Sequence, residues 1–499
     1  MPSQETVDVL VIGSGMGGAT FAAGLAPSGA KILILERGER LRDSDAARDA
    51  RAIFQRGVFR PQESWLDGAG QSFNPGNYYY VGGNTKLYGA VLIRYRARDF
   101  EPISYREGTT TGWPLAYDEL EPWYTRAEKL YRVRGAEKFD RTEPPHSEPY
   151  PFGPVPDEPA IAKVRERMTS VGLNPFPLPL GLDLDKWLKR AKTPWDAFPD
   201  TGCGKMDAES CGIDEALAHP NVELRTSAFV ERLLVEPDGK RIAGVEVSAN
   251  GERQAIAAKI VVLAAGAVNS AALLLSSREG GLANRSGAVG RHFMNHNCSA
   301  VLAIDPTTIN DSIYQKTLGI NDFYLDDRRG GPPLGNIQLL GRVTAPILKA
   351  SLRLAPEWAL GLMSRRTVDW YAMSEDLPNP ASRVTVEGAQ IRLDWKRTNW
   401  EAHAGLVKTF KERLRAAGYP IVLSKPFDRR TPSHQCGTVR IGPDPATSPL
   451  DPFCRAWDHP NLFVVDASFL PTSAAVNPSL TIAAQALRVA DHIVKTDLH

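Results

Sequence analysis

Apolar and small residues alternate in a regular order at the start of the chain. Residues 7–12 form a short apolar run that predicts a strand, residues 19–25 predict a helix of small side chains, and residues 31–35 predict a second strand. Short apolar runs bounded by turn residues are typical of buried strands. The pattern therefore predicts a β-α-β unit at the start of an α/β domain.

Similar apolar patterns return much later in the chain. Residues 222–234 and 242–247 predict hairpin strands, residues 259–265 predict an apolar strand, and a helical run after it ends near Ser277; residues 462–465 predict a last strand and residues 480–494 an amphipathic helix. The helix follows Asn477-Pro478-Ser479, which is a suitable helix start. The domain that begins with the β-α-β unit is therefore expected to be assembled from three separated segments.

The middle of the chain has a different character. Residues 141–159 are dense in proline, which forbids a regular helix and predicts an extended excursion on the surface. From about residue 300 to 422, alternating segments such as 383–387 and 390–395 precede a long helical pattern over 399–417. This part predicts a second domain in which a sheet is backed by helices.

The turn between the first predicted strand and helix carries a dinucleotide motif. Gly13, Gly15 and Gly18 form G-x-G-x-x-G, and Glu36 follows the next strand. Gly13 permits the tight turn, Gly15 lets the backbone approach a pyrophosphate, and Gly18 lets the helix pack on the strand. Glu36 would accept hydrogen bonds from an adenosine ribose. The motif alone leaves FAD and NAD open, because both offer an ADP half to this fold.

Composition and charge exclude several classes of protein. The 499 residues carry 59 Lys and Arg against 58 Asp and Glu, so no net field attracts nucleic acid or an anionic membrane. Five widely spaced cysteines favour a reducing compartment, and no segment is long and apolar enough to span a membrane. We therefore expect a cytoplasmic protein with no nucleic-acid partner. His292, His296 and Cys298 have spacings that a metal site could use, but no acidic partner lies beside them, so no metal is expected.

Five segments, in order, resemble the FAD motifs of the glucose-methanol-choline (GMC) oxidoreductases. They are VDVLVIGSGMGGATFAAGLAPSGAKILILERG, YYYVGGNTKLYGAVLIRYR, VVLAAGAVNSAALLL, HQCGTVRIG and VVDASFLPTSAAVNPSLTIAAQALRVADHI. Within that superfamily, GWPLAYDELEPWYTRAEKLY and SEDLPNPASRVTVE are most similar to the pyranose oxidase branch and its bacterial glycoside 3-oxidase relatives. The match covers about half of the chain, and residues 141–200 match only loosely.

The resemblance implies a fold and its boundaries. It implies a Rossmann-like FAD-binding domain of the GMC and p-hydroxybenzoate hydroxylase-like kind, with an α+β substrate domain on a mostly antiparallel sheet. The FAD-binding domain is expected to consist of residues 1–105, 200–298 and 430–499. The substrate domain is expected to consist of residues 106–199 and 299–429, with the proline-rich excursion at 141–159.

The resemblance also implies the residues that bind FAD. Beyond the glycine motif and Glu36, the expected residues are Gly83, Asn84, Thr85, Val230, Ala265, Asp466, Asn477, Pro478 and Ser479. Asp466 would contact the ribityl or pyrophosphate part, although it is also an ordinary residue for a turn at a strand end. Fungal pyranose oxidases attach the flavin to a histidine shortly after a pair of glycines that corresponds to Gly82-Gly83 in this chain. Leu87 stands there in this chain, so we expect FAD that is bound without a covalent link.

Two residues match the active-site pair of the family. His434 stands in HQCGT and Asn477 in NPSLT, and the resemblance assigns His434 as the base that takes the hydroxyl proton while the hydride goes to flavin N5. Asn477 cannot accept a proton at neutral pH, but its amide can hold the substrate oxygen. Asparagine before proline at a helix start is also a common capping signal, and both roles could coexist. The other eight histidines are expected to be solvent-facing or structural.

The expected reaction is oxidation of a secondary ring hydroxyl of a pyranose or glycoside, at C3 or less favourably C2, with electrons passed to O₂ or another acceptor. A polyol or sugar-acid dehydrogenase with a quinone or cytochrome acceptor is the alternative within the superfamily. A flavoprotein without turnover is the alternative of another class. Trp370, Tyr371, Trp395 and Trp400 could stack on a sugar, but each is also typical of core packing.

Overall fold

The computed structural model describes residues 5–186, 196–202, 204–249, 251–428 and 434–498. The strands are β1 Glu5–Ile12, β2 Ile32–Leu35, β3 Trp65–Asp67, β4 Ser72–Phe73, β5 Ser104–Tyr105, β6 Gly108–Thr109, β7 Val133–Arg134, β8 Pro175–Pro177, β9 Leu180–Gly181, β10 Val222–Arg225, β11 Ala228–Val235, β12 Ile242–Ala249, β13 Glu252–Leu263, β14 Asn297–Ile304, β15 Leu318–Ile320, β16 Asn336–Leu339, β17 Thr367–Ser374, β18 Arg383–Glu387, β19 Gln390–Asp394, β20 Ile421–Pro426 and β21 Leu462–Val464. The helices are α1 Met16–Leu25, α2 Tyr117–Leu130, α3 Pro159–Ser170, α4 Asp214–Leu217, α5 Ala267–Ser276, α6 Ala345–Ser351, α7 Glu357–Ser364, α8 Trp400–Ala416 and α9 Ser479–Thr496.

The nucleotide-domain sheet has the strand order β10-β2-β1-β13-β12-β11, and β21 pairs with β13. The pairs β1–β2, β1–β13, β2–β10 and β13–β21 are parallel, while β11, β12 and β13 form an antiparallel meander. The three chain segments that were expected to build this domain therefore meet in one sheet. The predicted β-α-β unit is confirmed, with α1 as its crossover.

One predicted strand is in fact two. The apolar pattern predicts a single hairpin arm over residues 222–234, but the chain turns between β10 and β11, where Ser227 has a φ of +51°. β10 joins β2 at one edge of the sheet, whereas β11 joins β12 at the other end. An apolar run cannot reveal such a break when neither Gly nor Pro marks it.

Helices α1, α2 and α9 cover the nucleotide-domain sheet. α1 is almost entirely buried and contacts α9 closely because its side chains are small: a Cβ at Gly24 would lie 3.0 Å from Leu487 Cδ2. α2 packs on α9, and Tyr124 and Thr481 share a hydrogen bond of 2.8 Å. The domain boundaries stay a prediction, but α2, which they place in the substrate domain, lies in the same apolar core as the nucleotide sheet.

The substrate-side sheet has the strand order β20-β14-β17-β16-β15-β8, and its strands run antiparallel. Helix α8 packs on one face, where Trp370 meets Phe410 with ring centroids 5.1 Å apart. The predicted sheet with helices behind it is therefore present. Because side chains alternate between faces, the opposite face carries Cys298, Gln338 and Tyr371.

The hairpin β18–β19 does not belong to that sheet. It joins β3 and β4 in a small sheet of its own, where Arg392 pairs with Leu66. The alternating pattern of residues 383–395 was therefore assigned to the wrong layer. Val384 and Leu393 are buried in the nucleotide-domain core, and the Val384 N–H donates to the Gly290 oxygen at 2.7 Å, so packing against that core holds the hairpin there.

The proline-rich excursion contains no helix before α3, which begins at Pro159. Proline at the first helical position leaves no backbone donor unpaired, because that N–H has no partner within a helix. Across the described ranges, no helix combines the length and the apolar character that a bilayer crossing needs. The cytoplasmic location stays a prediction.

Candidate active site

The turn between β1 and α1 leaves open space in front of the helix. Gly13 has a φ of +102°, and a Cβ there would lie 2.4 Å from the Ala264 carbonyl oxygen. A Cβ at Gly18 would lie 2.1 Å from the Gly13 oxygen. Gly15 has a φ of −69°, and no atom lies within 4 Å of where its Cβ would be. The fold itself therefore excludes side chains at Gly13 and Gly18, whereas a side chain at Gly15 would enter the space where a helix N-terminus binds an anion.

Glu36 ends β2 beside this turn and is buried. Its carboxylate accepts hydrogen bonds from the Ser14 N–H at 3.0 Å, the Ser14 hydroxyl at 2.6 Å and the Gly38 N–H at 2.9 Å. Burial raises the pKa of Glu36, and the hydrogen bonds from Ser14 and Gly38 oppose that rise. The Ser14 hydroxyl also accepts from the Gly82 N–H at 3.1 Å. Ser14, which the sequence analysis did not single out, thus joins three segments of the site.

The paired glycines lead into a short 3₁₀ turn, Gly83–Lys86. Asn84 Oδ1 accepts from the Tyr78 N–H at 2.9 Å, and the Thr85 hydroxyl donates to the Gly82 oxygen at 2.6 Å. These bonds shape the turn. A Cβ at Gly83 would lie 3.2 Å from the Gly15 Cα, so the turn lies directly beside the glycine motif. Leu87 ends the turn as a buried aliphatic side chain.

These residues fit the ADP half of FAD. Helix α1 has no side-chain cap, its N-terminus faces free space at Gly15, and a buried carboxylate stands at the end of the next strand. Open backbone donors at a helix N-terminus suit a pyrophosphate, and a strand-end acid suits a ribose.

The remaining predicted cofactor residues lie on neighbouring elements. Val230 is buried in β11, the Ala265 N–H donates to the Ser270 hydroxyl at 3.1 Å, and Pro478 and Ser479 begin helix α9. Asp466 accepts from the Gly266 N–H at 3.0 Å and the Ser468 N–H at 2.9 Å. Its carboxylate thus links two loops, as expected for a turn residue, and its contact with the cofactor stays a prediction.

His434 lies beside a second histidine. Its Nδ1 is 2.8 Å from Nδ1 of His296, and the two rings are nearly perpendicular, with centroids 4.9 Å apart. Nε2 of His296 is 2.8 Å from the Ser473 carbonyl oxygen. His434 also has a φ of +67°, a left-handed conformation that non-glycine residues adopt rarely and that is concentrated at functional sites.

Both imidazoles are held neutral. Burial lowers the pKa of His434 well below its usual range, and His296 and Lys316 lower it further. Burial lowers the pKa of His296 to about 4, although its hydrogen bond to the Ser473 carbonyl opposes this. A neutral imidazole has one free lone pair, which is what a proton acceptor requires.

Asn477 faces the other nitrogen of His434. Its Nδ2 is 3.3 Å from His434 Nε2, and its Oδ1 accepts from Nε2 of Gln338 at 2.9 Å. Helix α9 has no side-chain cap, so the capping role considered for Asn477 is wrong: the neighbouring Pro478 occupies the cap position, and the amide turns to the histidine instead. The structure therefore brings the two predicted catalytic residues together.

A chain of buried amides continues from Asn477. Gln338 Nε2 also donates to Asn336 Oδ1 at 3.1 Å, Asn336 Nδ2 donates to Asn321 Oδ1 at 2.7 Å, and Asn321 Nδ2 donates to Asp140 at 2.7 Å. Asp140 is paired with Arg96. Sequence reasoning missed all of these residues, which come from distant segments and carry no motif.

The face of the substrate-side sheet that carries Gln338 also carries Tyr371, which lies directly opposite Gln338 in the register. Phe427 lies beside Tyr371, with ring centroids 5.7 Å apart. Trp370 lies on the helix-covered face and is fully buried, and Trp400 begins α8. Of the four aromatic candidates for sugar stacking, Tyr371 is thus the one on the face that bears Gln338.

His296 was expected to be structural, together with the other histidines outside the catalytic pair. The structure places His296 next to the predicted base, where its buried ring contacts His434 directly. Cys298 accepts a hydrogen bond from the Tyr371 hydroxyl. Among the residues that the structure describes, no group of His, Cys, Asp and Glu side chains is arranged to hold a metal ion.

Comparisons with protein families agree with this architecture. Residues 200–298 and 379–486 match models described as GMC oxidoreductase, and residues 11–58 match a model described as an NAD(P)-binding Rossmann-like domain. The matched ranges contain the glycine motif, Glu36, His434 and Asn477. Sequence similarity therefore covers both the predicted cofactor site and the His434–Asn477 pair.

Similar proteins of known activity align over nearly the whole chain. The chain is 30% identical to 6'''-hydroxyparomomycin C oxidase of Streptomyces lividus over 97% of this chain and 92% of that protein. It is 27% identical to C-glycoside 3-oxidase of Microbacterium trichothecenolyticum, over 98% and 96%. It is 25% identical to the large subunit of fructose dehydrogenase of Gluconobacter japonicus, over 99% of each chain.

A solved structure has the same fold. Pyridoxine 4-oxidase from Mesorbium loti superposes with a TM-score of 0.68 and covers 97% of this chain and 99% of its own, at 19% sequence identity. Together with the sheets described above, this confirms the predicted fold class.

Proposed function

Because the chain belongs to the GMC oxidoreductase family and is an FAD-dependent oxidoreductase of CH–OH groups, we propose that it oxidises a secondary ring hydroxyl of a pyranose sugar or glycoside to the keto sugar. The family that the sequence motifs resembled is thereby confirmed. We place the oxidised carbon at C3, with C2 as the less favoured position. FAD, when bound, supplies the hydride acceptor, and the residues of this chain manage the hydroxyl proton.

The observation that carries the proposal is the 3.3 Å approach of Asn477 Nδ2 to His434 Nε2. A hydroxyl that lies within hydrogen-bond distance of both groups can donate its proton to Nε2 while its oxygen accepts from the Asn477 amide. As negative charge develops on that oxygen, the amide N–H stabilises it. His434 is thus the base, and Asn477 holds the substrate oxygen.

The substrate class draws on the relatives and on the sheet face. The relatives include a C-glycoside 3-oxidase and a 6'''-hydroxyparomomycin C oxidase. In this chain Gln338 contacts Asn477, and Tyr371 lies opposite Gln338 on the same face of the sheet. We test the position of oxidation by incubating the holoenzyme with glucosides and identifying the product by ¹³C NMR. A C3 ketone supports the proposal, a C2 ketone corrects the position, and an aldehyde from the primary hydroxyl would contradict it.

The electron acceptor separates two versions of this function. Similarity to proteins named oxidases supports O₂ as the acceptor of this chain. Similarity to the fructose dehydrogenase subunit supports a dedicated acceptor instead. We propose O₂, and the test is to admit air to substrate-reduced enzyme. Recovery of the flavin absorbance within seconds, with formation of peroxide, supports an oxidase, while recovery only after a quinone is added would show a dehydrogenase.

We further propose that FAD binds without a covalent link, because the residue that ends the Gly83–Lys86 turn is the aliphatic Leu87. Acid precipitation should leave the yellow colour in the supernatant. Flavin retained in the precipitated protein would contradict this.

The pH dependence should reveal the lowered pKa of His434. A base must be unprotonated, so a pKa below the usual 6.5 keeps His434 active at lower pH than an ordinary histidine. The groups that act on it are His296 and Lys316, and Lys316 is itself paired with Asp196 at 2.8 Å. We expect the rate of anaerobic flavin reduction by substrate to stay constant from about pH 8 to about pH 5.5. A fall with a midpoint near 6.5 would show an ordinary, hydrated imidazole.

The donor role of Asn477 predicts different effects for two substitutions. Asn477→Asp replaces the N–H donor by a carboxylate that repels negative charge on the substrate oxygen, so flavin reduction should slow by about 10²-fold or more. Asn477→His keeps a ring N–H donor and should lose less. Stopped-flow reduction of both variants checks this, and equal rates for them would show that the hydrogen-bond donor does not matter.

A further inference from the structure

His296 and His434 share a hydrogen bond, and its direction can be worked out from the groups around it. Nδ1 of His296 is 2.8 Å from Nδ1 of His434, so one nitrogen of this pair carries the proton and the other accepts it. The direction of that hydrogen bond decides which nitrogen of His434 can act as the base, because a neutral imidazole has only one lone pair on its ring nitrogens.

The Ser473 carbonyl is the first group that fixes the direction of the hydrogen bond between His296 and His434. A carbonyl oxygen only accepts, so Nε2 of His296, 2.8 Å away, must donate to it. The same oxygen accepts from the Tyr95 hydroxyl at 2.9 Å, and the Ala474 N–H donates to the buried Glu375 at 3.0 Å, so this backbone is fixed from several sides. Neutral His296 then has its lone pair on Nδ1, and Nδ1–H of His434 donates to it. The lone pair of His434 is therefore on Nε2.

The carboxylate of Asp140, at the far end of the amide chain, is the second group that fixes this direction. Because a carboxylate only accepts, Asn321 must turn its NH₂ to Asp140 and its oxygen to Asn336. The same logic passes through Asn336 and Gln338, so the oxygen of Asn477 faces Gln338. Its NH₂ therefore faces His434 Nε2, which must accept. Two independent chains thus require the same tautomer.

We propose that His296 is a positioning residue that keeps His434 in the Nδ1–H tautomer, with Nε2 aimed at the substrate hydroxyl beside Asn477. The role of His434 as base rests on the proposed function, whereas the tautomer rests on these contacts and on the neutral state of the two buried rings. When the substrate O–H bond breaks, the proton moves to Nε2 and leaves its electron pair on the substrate oxygen. His434 then carries protons on both nitrogens, and Nδ1–H keeps its acceptor on His296, which stabilises the charged ring.

Two amide substitutions separate the two contacts of His296. In His296→Asn, Oδ1 takes the place of ring Nδ1 and can still accept from His434, while the contact with Ser473 is lost. In His296→Gln, the amide takes the place of Nε2 and keeps the bond to Ser473, while the acceptor for His434 is lost. We expect anaerobic flavin reduction to slow by about 10–100-fold in His296→Gln and by less than about 5-fold in His296→Asn.

The tautomer is measured directly by two-bond ¹H–¹⁵N NMR of the holoenzyme with ¹⁵N-labelled histidine. The signals of His434 are those that vanish in His434→Gln. We expect a protonated Nδ1 and a bare Nε2 in the unsubstituted protein and in His296→Asn. In His296→Gln we expect a mixture that contains protonated Nε2, because only the Asn477 amide still favours the bare nitrogen. This readout needs no substrate, so it stays valid if the sugar assignment fails.

A tautomer shift together with the slow rate of His296→Gln supports the proposal. If His434 shows protonated Nε2 in the unsubstituted protein, or if both variants keep its tautomer and their rates, the proposal is overturned. If both variants slow equally with an unchanged tautomer, His296 only fills space, which also overturns it.

Discussion

Replacing His434 by alanine should slow the reduction of bound flavin by substrate by about 10²-fold or more, the effect of removing a general base. The variant should remain yellow, because His434 contacts His296 and Asn477 rather than the glycine motif. Alanine carries a Cβ as histidine does, so the left-handed backbone, with a φ of +67°, is strained to a similar degree in the variant. Stopped-flow absorbance under anaerobic conditions measures the rate.

His403 provides the matched control for this prediction. It is likewise a buried imidazole, held by Ser299 at 2.8 Å and Ser374 at 3.1 Å, but it lies on the helix-covered side of the substrate-side sheet. His403→Gln should lose stability without a comparable loss of rate. Equal slowing in both variants would mean that disturbing any buried histidine suffices. An unchanged rate in His434→Ala would remove His434 from the role of base.

The second large effect is expected at Gly15. Its φ of −69° suits any residue, and a Cβ there meets no protein atom within 4 Å, so Gly15→Ala should fold normally. The added methyl group would occupy the space in front of α1 where the pyrophosphate binds. We therefore expect the affinity for FAD to fall by about 10²-fold or more. Flavin content after purification and titration of the apoprotein with FAD measure the change.

Two other glycines provide controls for the Gly15→Ala variant. Gly153→Ala also meets no atom within 4 Å, at an exposed position away from the site, and should bind FAD normally. Gly13→Ala should unfold at a lower temperature even as apoprotein, because its Cβ would lie 2.4 Å from a carbonyl oxygen and its φ is +102°. Full flavin content in Gly15→Ala would show that the cofactor does not approach the backbone there.

Much of the fold follows from local pattern. The order of strand, glycine turn and helix at residues 7–35 predicts β1, α1 and β2, because a buried parallel sheet needs continuous apolar strands and a crossover helix. The break between β10 and β11 and the placement of β18–β19 could not be predicted in this way. Both depend on which strand edge a segment joins, which is decided by distant residues such as Leu66 and Gly290.

The candidate site likewise contains residues that local motifs identify and residues that only the fold brings together. His434 and Asn477 lie in motifs that a family resemblance can identify, whereas His296 lies 138 positions from His434 and Gln338 lies 139 positions from Asn477. Their roles depend on three-dimensional contacts, and buried Asn and Gln side chains carry no spacing rule. The signal at His296 was a histidine near a cysteine, which suggested a metal rather than a partner for the base.

We have proposed that the enzyme oxidises a ring hydroxyl of a sugar at the His434–Asn477 pair. The most direct measurement is the visible flavin absorbance of the anaerobic holoenzyme while pyranoses and aryl C- and O-glycosides are added one at a time. We predict that a glycoside bleaches the flavin. A yellow protein that no sugar bleaches, but that another alcohol does, would contradict the claim and leave only the cofactor and the catalytic pair in place.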